Sequence, residues 1–509
     1  MSQAMPSGFP VPESAPAADP AVLPAAAPVA GGDALSETQA EQLREILRAY
    51  PVAVELGERF QRAGFKLALV GGSVRDALLG RLGNDLDFTT DARPNEILKL
   101  VKGWGEAVWD VGIAFGTVGV RKHDLQIEIT TYRSELYDRN SRKPEVTFGD
   151  TIEEDLVRRD FTVNAMAVAL PEAVFVDPHH GLADLAEGVL RTPGTPEASF
   201  SDDPLRMLRA ARFAAQLDFA VAPEVVTAMT EMADRIDIVS AERIQGELNK
   251  LLLSKHPREG LSLLVDTGLA AHVLPELPAL KLELDEHHRH KDVYEHSLTV
   301  LEQAIDLEST GEGDGKPDLT LRLAALLHDI GKPRTRRFEQ GGGVSFHHHE
   351  LVGAKMTKKR LRDLKYSNEL IADVSRLVEL HLRFHGYGSG EWTDSAVRRY
   401  VRDAGPLLDR LHKLTRSDCT TRNKKKAAAL SKTYDGLEER IAQLKEQEEL
   451  DAIRPDLNGD QIMALLGIRP GREVGEAYKF MMELRLEQGP LGEEAAQAAL
   501  KEWWAQRQA

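Results

Sequence analysis

The sequence predicts an α+β head followed by a body that is almost entirely helical. Short apolar runs bounded by glycine and polar turns, which are typical of strands, occur between about residues 66 and 170. After Pro196, apolar residues recur at helical spacing, as over 205–217, 241–253 and 257–273. Because one pattern replaces the other along the chain, we predict a mixed sheet with helices first and helical domains after it.

The strand-like segments can be assigned in order. Residues 66–70 form an apolar run that ends in two glycines, and 85–90 form a second strand followed by a helical segment. Two β-rich runs at 117–120 and 126–131 flank the polar residues 121–124, which predicts a hairpin.

Composition suggests where the domains of the chain begin and end. The N-terminal residues are rich in Ala and Pro and poor in large apolar groups, so they cannot bury enough surface to become ordered. We predict five segments in order. They are a disordered tail (1–35), a head (36–195), a helical neck (196–280), a helical domain with clustered histidines (281–425) and a helical C-terminal tail (426–509).

Charge and cysteine content exclude several classes of protein. The 509 residues carry a net charge of −17, which disfavours nucleic-acid binding by the molecule as a whole. No apolar stretch is long enough to span a membrane, and no basic residue precedes Arg44, so neither a membrane partner nor a secretory or mitochondrial leader is expected. The single Cys419 excludes an internal disulfide, and we expect a cytoplasmic protein.

Two basic segments are exceptions to the acidic balance. Residues 398–426 contain ten Lys or Arg against three Asp, and residues 355–365 are also rich in Lys and Arg. Both segments are candidates for phosphate contacts, and a solvated helical face is the alternative.

The first candidate site begins where the strand 66–70 ends. Gly71 and Gly72 let the backbone approach a phosphate closely, and the helix they open points its amides toward it. Ser73 adds a hydroxyl group, and Arg75 adds a guanidinium that can bind a phosphate through two hydrogen bonds. A glycine turn before a helix is common, so this segment alone is a weak signal.

A pair of acidic residues follows on the next strand. Side chains alternate along a strand, so Asp85 and Asp87 share one face, and two neighbouring carboxylates favour a cation such as Mg²⁺ between them. Glu128, on the predicted strand 126–131, is a candidate third acid of the same site. An exposed acidic edge strand is the alternative.

Together, these segments resemble a known signature. Residues 71–76 with 85–87 resemble the motif of the DNA polymerase β-like nucleotidyltransferases, in the class II tRNA nucleotidyltransferase branch. Residues 158–165 resemble the ribose-selecting motif of that branch, and 201–213 its nucleobase-selecting motif. The resemblance covers roughly residues 50–275, and it implies a polymerase β-like head followed by an all-α neck, body and tail.

The resemblance also implies roles for individual residues. Asp85 and Asp87 would hold two Mg²⁺ ions, while the 3′-hydroxyl of an RNA attacks a nucleoside triphosphate. Glu128 stays the third catalytic acid suggested by the strand pattern, and a solvent-facing strand glutamate is its alternative. The implied nucleotide-binding residues are Gly72, Ser73, Arg75, Arg159, Asp160, Asp203, Arg206, Arg209 and Arg212.

The positions of Asp203 and Arg206 can be interpreted in two ways. A carboxylate accepts from the amino groups of cytosine and adenine, and a guanidinium donates to a ring nitrogen or carbonyl, so the pair could accept C and A and reject U and G. The alternative is structural: Asp203 caps a helix that has Pro204 at its first position. Both can hold, because the cap would fix the readers at the helix start.

A second constellation lies in the helical body. His328 and Asp329 end an apolar helix, and further histidines and an aspartate give the order H…HD…H…H…D. A lone histidine on an apolar helix is usually a core residue, but this order resembles the HD phosphohydrolase superfamily. The resemblance implies a divalent transition-metal site with six ligands: His296, His328, Asp329, His349, His381 and Asp418.

These observations favour an enzyme that adds C, C and A to the 3′ end of tRNA from CTP and ATP. Residues 137–146 resemble the loop that separates full CCA-adding enzymes from CC-adding ones, although an ordinary surface loop would look the same. A poly(A) polymerase of the same branch is an alternative, opposed by the acidic charge and by the non-basic run 115–118. The other alternative is a metal-dependent phosphohydrolase acting on RNA ends.

Overall fold

The computed structural model describes ten stretches of the chain: 35–81, 83–110, 112–136, 145–281, 292–309, 316–340, 343–384, 393–420, 423–448 and 453–508. The described residues form two compact units, the first within 1–206 and 219–228 and the second within 207–218 and 229–509. The predicted disordered tail lies outside the described residues except for Leu35, and the five predicted domain boundaries stay predictions.

The first unit combines helices with short strands. Its helices are α1 Glu37–Ala49, α2 Pro51–Arg62, α3 Gly72–Leu78, α4 Pro94–Val101, α5 Ile152–Val157, α6 Gly181–Glu187 and α7 Pro196–Asp202. Its strands are β1 Leu67–Val70, β2 Asp85–Thr90, β3 Ala107–Trp109, β4 Thr117–Lys122, β5 Leu125–Thr131, β6 Arg133–Leu136, β7 Glu145–Phe148, β8 Ala167–Leu170, β9 Val174–Val176, β10 Val189–Leu190 and β11 Ala220–Val221.

Seven of these strands form one mixed sheet in the order β3-β4-β5-β2-β1-β8-β9. The predicted hairpin is present as β4 and β5, and its turn places His123 and Asp124 at positive φ. Strand β2 pairs with β5 in parallel, whereas the other neighbours in the sheet are antiparallel. This parallel pair brings two strands that are distant in sequence into direct register.

The second unit is built almost entirely from helices. Helices α8 Leu205–Leu217 and α9 Pro223–Glu231 contain residues of both units. The others are α10 Ala241–Leu252, α11 Pro257–Asp266, α12 Ala270–Val273, α13 Val293–Asp306, α14 Leu319–Leu327, α15 Lys332–Thr335, α16 His349–Asp363, α17 Asn368–Leu380, α18 Asp394–Ala404, α19 Leu408–Ser417, α20 Lys424–Glu448, α21 Gly459–Leu466, α22 Arg472–Gln488 and α23 Glu493–Gln508.

Local signals explain several helix boundaries. Ser36 caps α1 and forms a reciprocal capping box with Gln39, so this helix begins where the apolar pattern begins. The segment expected as one helix over 257–273 is instead α11 and α12, because Gly268 adopts φ +79° between them. No helix among the described residues is both long enough and apolar enough to cross a membrane.

The expectation that strands end at Pro196 was wrong in detail. Strand β11 pairs with β10, and two further strands, β12 Arg337–Phe338 and β13 Val344–Ser345, form a hairpin in the second unit. These strands have two residues each, which is too short for alternation to be visible in a sequence.

The basic segment 398–426 is largely an internal ion-pair network. Arg398 is 4% exposed and contacts Glu448 through two hydrogen bonds of 2.8 Å. The described basic residues of this segment that pair with acids are Arg398, Arg399, Arg402, Arg410, Lys413 and Arg416. Charge balance within the protein, rather than contact with phosphates, therefore accounts for much of this segment.

Candidate functional site

The acidic residues of the head lie on one face of the mixed sheet. In β2, Asp85 and Asp87 are exposed, whereas Leu86 and Phe88 are each 1% exposed. The alternation predicted from the sequence is therefore present, and the apolar side chains between the acids fix which face they occupy.

Glu128 joins this face through the parallel register. In the pairing of β2 with β5, Asp87 stands opposite Glu128 and Asp85 opposite Gln126. Glu128 is exposed between the buried Ile127 and Ile129. We call Asp85, Asp87 and Glu128 the carboxylate triad. Three carboxylates on one open face are a donor set suited to a hard divalent cation.

Ser73 ties the glycine turn to the strand that carries the acids. Its hydroxyl donates to the carbonyl of Asp85 and accepts from the amide of Asp87, each at 3.2 Å. Ser73 therefore fixes the backbone on both sides of Leu86. The sequence suggested a phosphate contact for this hydroxyl, whereas its contacts here are with the backbone that positions two acids.

Arg159 lies close to the carboxylate triad. The Asp87 side chain is accessible at the sheet face, but the surrounding protein removes part of the water from its carboxyl group and so raises its pKa. The Arg159 guanidinium lowers this pKa, whereas Glu128 and Asp85 raise it. Arg159 Nε is buried and has no hydrogen-bond partner among the described residues. An arginine with an unused donor beside three carboxylates is suited to bind an anion that a metal also contacts.

A buried aspartate that the sequence analysis missed holds this arginine. Asp155 is 0% exposed and accepts from Arg158 at 2.6 Å and from Arg159 at 3.0 Å. Burial would raise the pKa of Asp155, but the two guanidinium groups lower it to about 2. The sequence signal was weak, because Asp155 follows Glu153 and Glu154 and resembles one more acid in a helix N-terminal turn.

Arg75 is positioned inside the head. It is 8% exposed, and its guanidinium donates to Asn164 at 2.6 Å and to both oxygens of Asp76 at 2.9 Å. Asn164 in turn donates to Asp160 at 3.0 Å. This network joins the helix after the glycine turn to the segment 158–165, so Arg75 has a structural task in addition to the phosphate contact suggested by the sequence.

Gly71 and Gly72 show why the turn needs small residues. Gly71 has φ +70°, and a Cβ there would lie 2.9 Å from Nη1 of Arg159. A Cβ on Gly72 would meet the Arg75 guanidinium at 3.5 Å, which is an ordinary contact. The requirement for glycine is therefore strong at Gly71, and it comes from backbone conformation and from Arg159 together.

Asp203 is a helix cap, as its structural reading predicted. Its carboxylate accepts from the amide of Leu205 at 3.1 Å, with Pro204 between them at the start of α8. Arg206 is 7% exposed and donates to Ser199 Oγ at 2.8 Å and to the carbonyl of Arg158. A cavity of about 260 Å³ is lined in part by Arg158, Ser199 and Arg206.

Arg209 and Arg212 converge on one acid in the second unit. Arg212 is 7% exposed and donates to Glu247 at 2.6 Å, and Arg209 lies 3.6 Å from the same carboxylate. Both guanidinium groups also lie over the Phe213 ring. These contacts position α8 against α10, and nothing in them tests the nucleotide contact suggested for these residues.

The six residues expected as metal ligands form a single cluster, which we call the histidine cluster: His296, His328, Asp329, His349, His381 and Asp418. Asp329 lies at its centre, with Oδ2 3.2 Å from Nε2 of His328 and Oδ1 3.2 Å from Nε2 of His349. Asp418 Oδ1 lies 2.9 Å from Nε2 of His296. His347 and His348, which directly precede His349 in the sequence, are exposed and do not belong to the cluster.

The same geometry orients each histidine. The Nδ1 atoms of His328, His349 and His381 each contact a backbone carbonyl three residues earlier, at 2.8, 2.8 and 2.6 Å. Nδ1 of His296 contacts the Thr420 hydroxyl at 3.1 Å. Every Nε2 atom is thereby left for the centre of the cluster, which is the arrangement that outer hydrogen bonds give to metal-binding histidines.

The cluster contains buried polar atoms that a metal ion would satisfy. Nε2 of His349 and Nε2 of His381 form no hydrogen bond among the described residues, and Oδ2 of Asp329 is balanced by the ion pair with Lys332 and the contact with His328. Burial lowers the pKa of His381 to about 3, so this imidazole is neutral and can donate a lone pair. Imidazole nitrogens with carboxylate oxygens fit a divalent transition metal.

Charge in the cluster is balanced around Asp329. Burial would raise the pKa of this carboxyl, but His328 and Lys332 lower it well below its ordinary range. Burial would lower the pKa of His328, whereas Asp329 raises it to about 9. Lys332 Nζ lies 2.9 Å from Asp329 Oδ2, a contact that the sequence analysis missed although the lysine stands one helical turn after the aspartate.

Gly331 allows the loop after Asp329 to lie against α16. A Cβ at Gly331 would stand 2.1 Å from the carbonyl oxygen of His349 and 2.7 Å from the amide of Gly353. The φ of Gly331 is −75°, so space and not backbone conformation requires glycine here. This close approach fixes the distance between two parts of the histidine cluster.

Comparison with known families agrees with this division of the chain. Three family models match it: "Poly A polymerase head domain" over residues 67–191, "Probable RNA and SrmB- binding site of polymerase A" over 218–280, and "HD domain" over 293–423. The first covers the strands that carry the carboxylate triad, and the third covers the whole histidine cluster.

Solved structures with the same fold include CCA-adding enzymes. The Bacillus stearothermophilus CCA-adding enzyme in complex with CTP gives a TM-score of 0.65 at 24% identity, covering 90% of this chain and 98% of that one. The Thermotoga maritima CCA-adding enzyme complexed with tRNA gives 0.58 at 19% identity, covering 91% and 98%. At these identities, the likeness shows the fold.

Curated relatives show the family. A CCA-adding enzyme of Levilactobacillus brevis is 40% identical over 48% of this chain and 60% of its own length. A CCA-adding enzyme of Streptococcus suis is 30% identical over 89% of this chain and 96% of its own length. An A-adding tRNA nucleotidyltransferase of Deinococcus radiodurans is 33% identical over 86% and 95%. The chain therefore belongs to the tRNA nucleotidyltransferase family that includes the CCA-adding enzymes.

Proposed function

We propose that this chain adds C, C and A in turn to the 3′ end of tRNA, using CTP, ATP and Mg²⁺. The observation that carries the proposal is the carboxylate triad, which stands on one open face beside the Gly71–Gly72 turn. In each addition, the 3′-hydroxyl of the RNA loses its proton to solvent and its oxygen bonds to the α-phosphorus. The bond from the α-phosphorus to the bridging oxygen breaks, and pyrophosphate leaves with the displaced charge.

The chain's own residues would mainly position the reactants. Asp85 and Asp87 would hold Mg²⁺, which supplies positive charge to the triphosphate and favours ionisation of the 3′-hydroxyl. Arg159, held by Asp155, has a free Nε to donate to a phosphate oxygen or to the sugar. Ser73 holds the strand backbone, so the two aspartates keep their spacing when the charge between them changes.

Base choice would depend on Asp203 and Arg206. The cap at the start of α8 and the contacts of Arg206 with Ser199 and Arg158 hold both residues in place before a nucleotide arrives. Rigid donors and acceptors reject a base that leaves them unpaired, so C and A would be favoured over U and G.

A second nucleotide specificity, the addition of A alone, is also supported by a relative. The Deinococcus radiodurans relative is A-adding and is as similar over the whole chain as the CCA-adding enzyme of Streptococcus suis. Residues 137–144 of the loop expected to favour all three additions lie outside the described residues. Addition of A alone to tRNA that already ends in CC is therefore the competing proposal.

One experiment separates these activities. The protein is incubated with Mg²⁺, each labelled nucleoside triphosphate, and tRNA that lacks one, two or all three of its terminal residues. Incorporation of CTP and then ATP, ending after the third residue, supports CCA addition. Incorporation of ATP only on the transcript ending in CC supports A addition, long A tracts support a poly(A) polymerase, and no incorporation contradicts all three.

We further propose that the histidine cluster holds a divalent transition metal and hydrolyses phosphomonoesters at RNA ends. The unpaired Nε2 atoms of His349 and His381, next to the buried carboxylate of Asp329, carry this proposal. In the reaction, the oxygen of water bonds to phosphorus, the ester P–O bond breaks, the leaving oxygen takes up a proton, and inorganic phosphate is released. Phosphate release from p-nitrophenyl phosphate in Mn²⁺, Ni²⁺ or Co²⁺ tests it, and no turnover with any of these metals contradicts it.

A further inference from the structure

The hairpin of β12 and β13 is an exposed basic and aromatic element beside the histidine cluster. Residues 332–338 carry four basic side chains and no acidic one, in a chain whose net charge is −17. Phe338 is 71% exposed, the highest value among the exposed large hydrophobic residues in the part of the chain that the structure describes. An exposed aromatic ring among basic side chains combines a surface for base stacking with cations for phosphates.

The residues that flank the hairpin on either side contact the histidine cluster. On one side Lys332, six residues before Phe338, lies 2.9 Å from Asp329. On the other side the carbonyl of Phe346, just after β13, contacts His349 Nδ1 at 2.8 Å. Lys332 Nζ also lies 5.6 Å from the centre of the Phe346 ring, so the segments before and after the hairpin contact each other.

The register connects Phe338 to the cluster through β13. Phe338 pairs with Val344, and Phe346, whose carbonyl contacts His349, follows Val344 by two residues. Glu339 accepts from the Ser345 hydroxyl at 2.5 Å, so the one nearby acid is bonded across the hairpin. Arg336 lies over the Phe338 ring at 4.8 Å, and its buried Nε has no partner among the described residues.

The remaining arginines are available to a ligand. Arg334 and Arg337 are exposed, and neither forms an ion pair with an acid in the described residues. An exposed aromatic ring with free guanidinium groups is the arrangement that binds single-stranded nucleic acid, because bases stack on the ring and phosphates contact the cations.

We infer that this hairpin binds the end of a single-stranded RNA and presents its terminal phosphate to the histidine cluster. The terminal base would stack on Phe338, and the next phosphates would contact Arg334 and Arg337. The inference rests on the proposed phosphohydrolase function and assigns the surface that would hold its substrate, so that a polynucleotide end is preferred over a free small phosphomonoester.

Binding without metal is the first test. A 5′-fluorescein-labelled RNA hexamer ending in a 3′-phosphate is titrated with the full chain in EDTA, and anisotropy gives the Kd. Phe338→Ala should weaken binding about fivefold or more, and Phe338→Trp should restore it, since base stacking contributes at this level. Phe115→Ala, which removes a 48%-exposed phenylalanine of the head, is the matched control. Equal Kd values for the wild type and Phe338→Ala would overturn the inference.

Salt dependence tests the arginines. Each phosphate contact on single-stranded RNA contributes about 0.7 to the slope of log K against log salt, so Arg334→Ala with Arg337→Ala should reduce that slope by about 1.4. A duplex of the same length should bind more weakly than the single strand, because its bases are already stacked. An unchanged slope, or a duplex bound equally well, would contradict binding of a single strand by this hairpin.

Turnover separates failure of this inference from failure of the underlying function. With Mn²⁺, the ratio of kcat/KM for the RNA hexamer to that for p-nitrophenyl phosphate should fall about fivefold or more in Phe338→Ala. If the wild type hydrolyses both substrates and the ratio does not change, the hairpin proposal is wrong and the phosphohydrolase stands. If the wild type hydrolyses neither, the phosphohydrolase and its substrate class both fail, whatever the binding shows.

Discussion

The two candidate metal sites of this chain are built in opposite ways. The carboxylate triad lies on an open sheet face, and its three acids come from two strands in direct register. The histidine cluster is mostly buried, and its ligands are spread over residues 296–418 on several helices. Strand alternation and the pairing of β2 with β5 create the first site, whereas the second exists only after the helices have packed.

This difference predicts which properties of each site depend on a bound metal ion. Exposed carboxylates are screened by water, so the head can fold with the triad empty. Buried polar atoms without hydrogen bonds cost free energy until an ion satisfies them, and Nε2 of His349 and Nε2 of His381 are two such atoms in the described part of the cluster. We therefore expect metal to matter for reaction rate in the head and for both rate and stability in the cluster.

The largest expected effect is the loss of nucleotide transfer by the head, without loss of the second activity. Asp85→Asn keeps the size of the side chain and removes one charge of the triad, so nucleotide incorporation into tRNA should fall by a factor of about 10³. Phosphate release by the histidine cluster should persist. Asp124→Asn, in the turn between β4 and β5, is the control for an acid removed elsewhere in the head. Loss of both activities in Asp85→Asn would contradict two separate sites.

The next effect concerns the cluster and its stability. Mn²⁺ at about a hundred times its Kd should raise the free energy of unfolding of the cluster's unit by about 3 kcal/mol. His349→Ala should lose most of this increase, whereas His347→Ala, in the same segment but exposed, should keep it. Calorimetry with Mn²⁺ and with EDTA measures both. Equal unfolding temperatures in Mn²⁺ and EDTA would show that the buried cluster holds no ion.

A third prediction sharpens the comparison, because the head also contains a buried charge. The folded pKa of Asp155, about 2, lies below its ordinary value of 3.8, so its stabilisation is complete above pH 4 and disappears as the pH falls through 2. Asp155→Asn should reduce the free energy of unfolding by about 2 kcal/mol at pH 5, and this deficit should shrink toward pH 2. Urea unfolding of both proteins at several pH values measures it. A deficit that does not change with pH would show that the ion pairs with Arg158 and Arg159 are not its cause.

The smallest effect tests the fine geometry of the open site. Ser73→Ala removes two hydrogen bonds of 3.2 Å to the backbone of β2, so kcat for incorporation should fall about three- to tenfold with little change in KM. Ser73→Thr, which keeps the hydroxyl, should recover part of the rate. A change in KM for CTP without a change in kcat would instead indicate that Ser73 binds the nucleotide.

Sequence reasoning succeeded where one short segment determines the structure. Alternation identified the face shared by Asp85 and Asp87, and a cap with proline identified the start of α8 at Asp203. It was less informative where the outcome depends on partners far away in the chain. The buried state of Asp155 depends on the packing around it, and the ion pairs of Arg398 involve Glu448, fifty residues later.

The histidine cluster was predictable for a different reason. A single histidine on an apolar helix carries little information, but the order H…HD…H…H…D resembles a known superfamily, so the set was informative although its geometry was not. The same order did not reveal Lys332 beside Asp329 or the hairpin of β12 and β13, because these depend on tertiary contacts and on strands of two residues.

The contact between Gly331 and α16 has a consequence for how the protein tolerates change. The loop after Asp329 and the first turn of α16 touch through main-chain atoms, with no side chain between them that could be exchanged for another. Codon randomisation at this position should recover glycine almost alone under selection for the second unit's activity. Natural drift in the surrounding helices is then confined to substitutions that leave this backbone junction undisturbed.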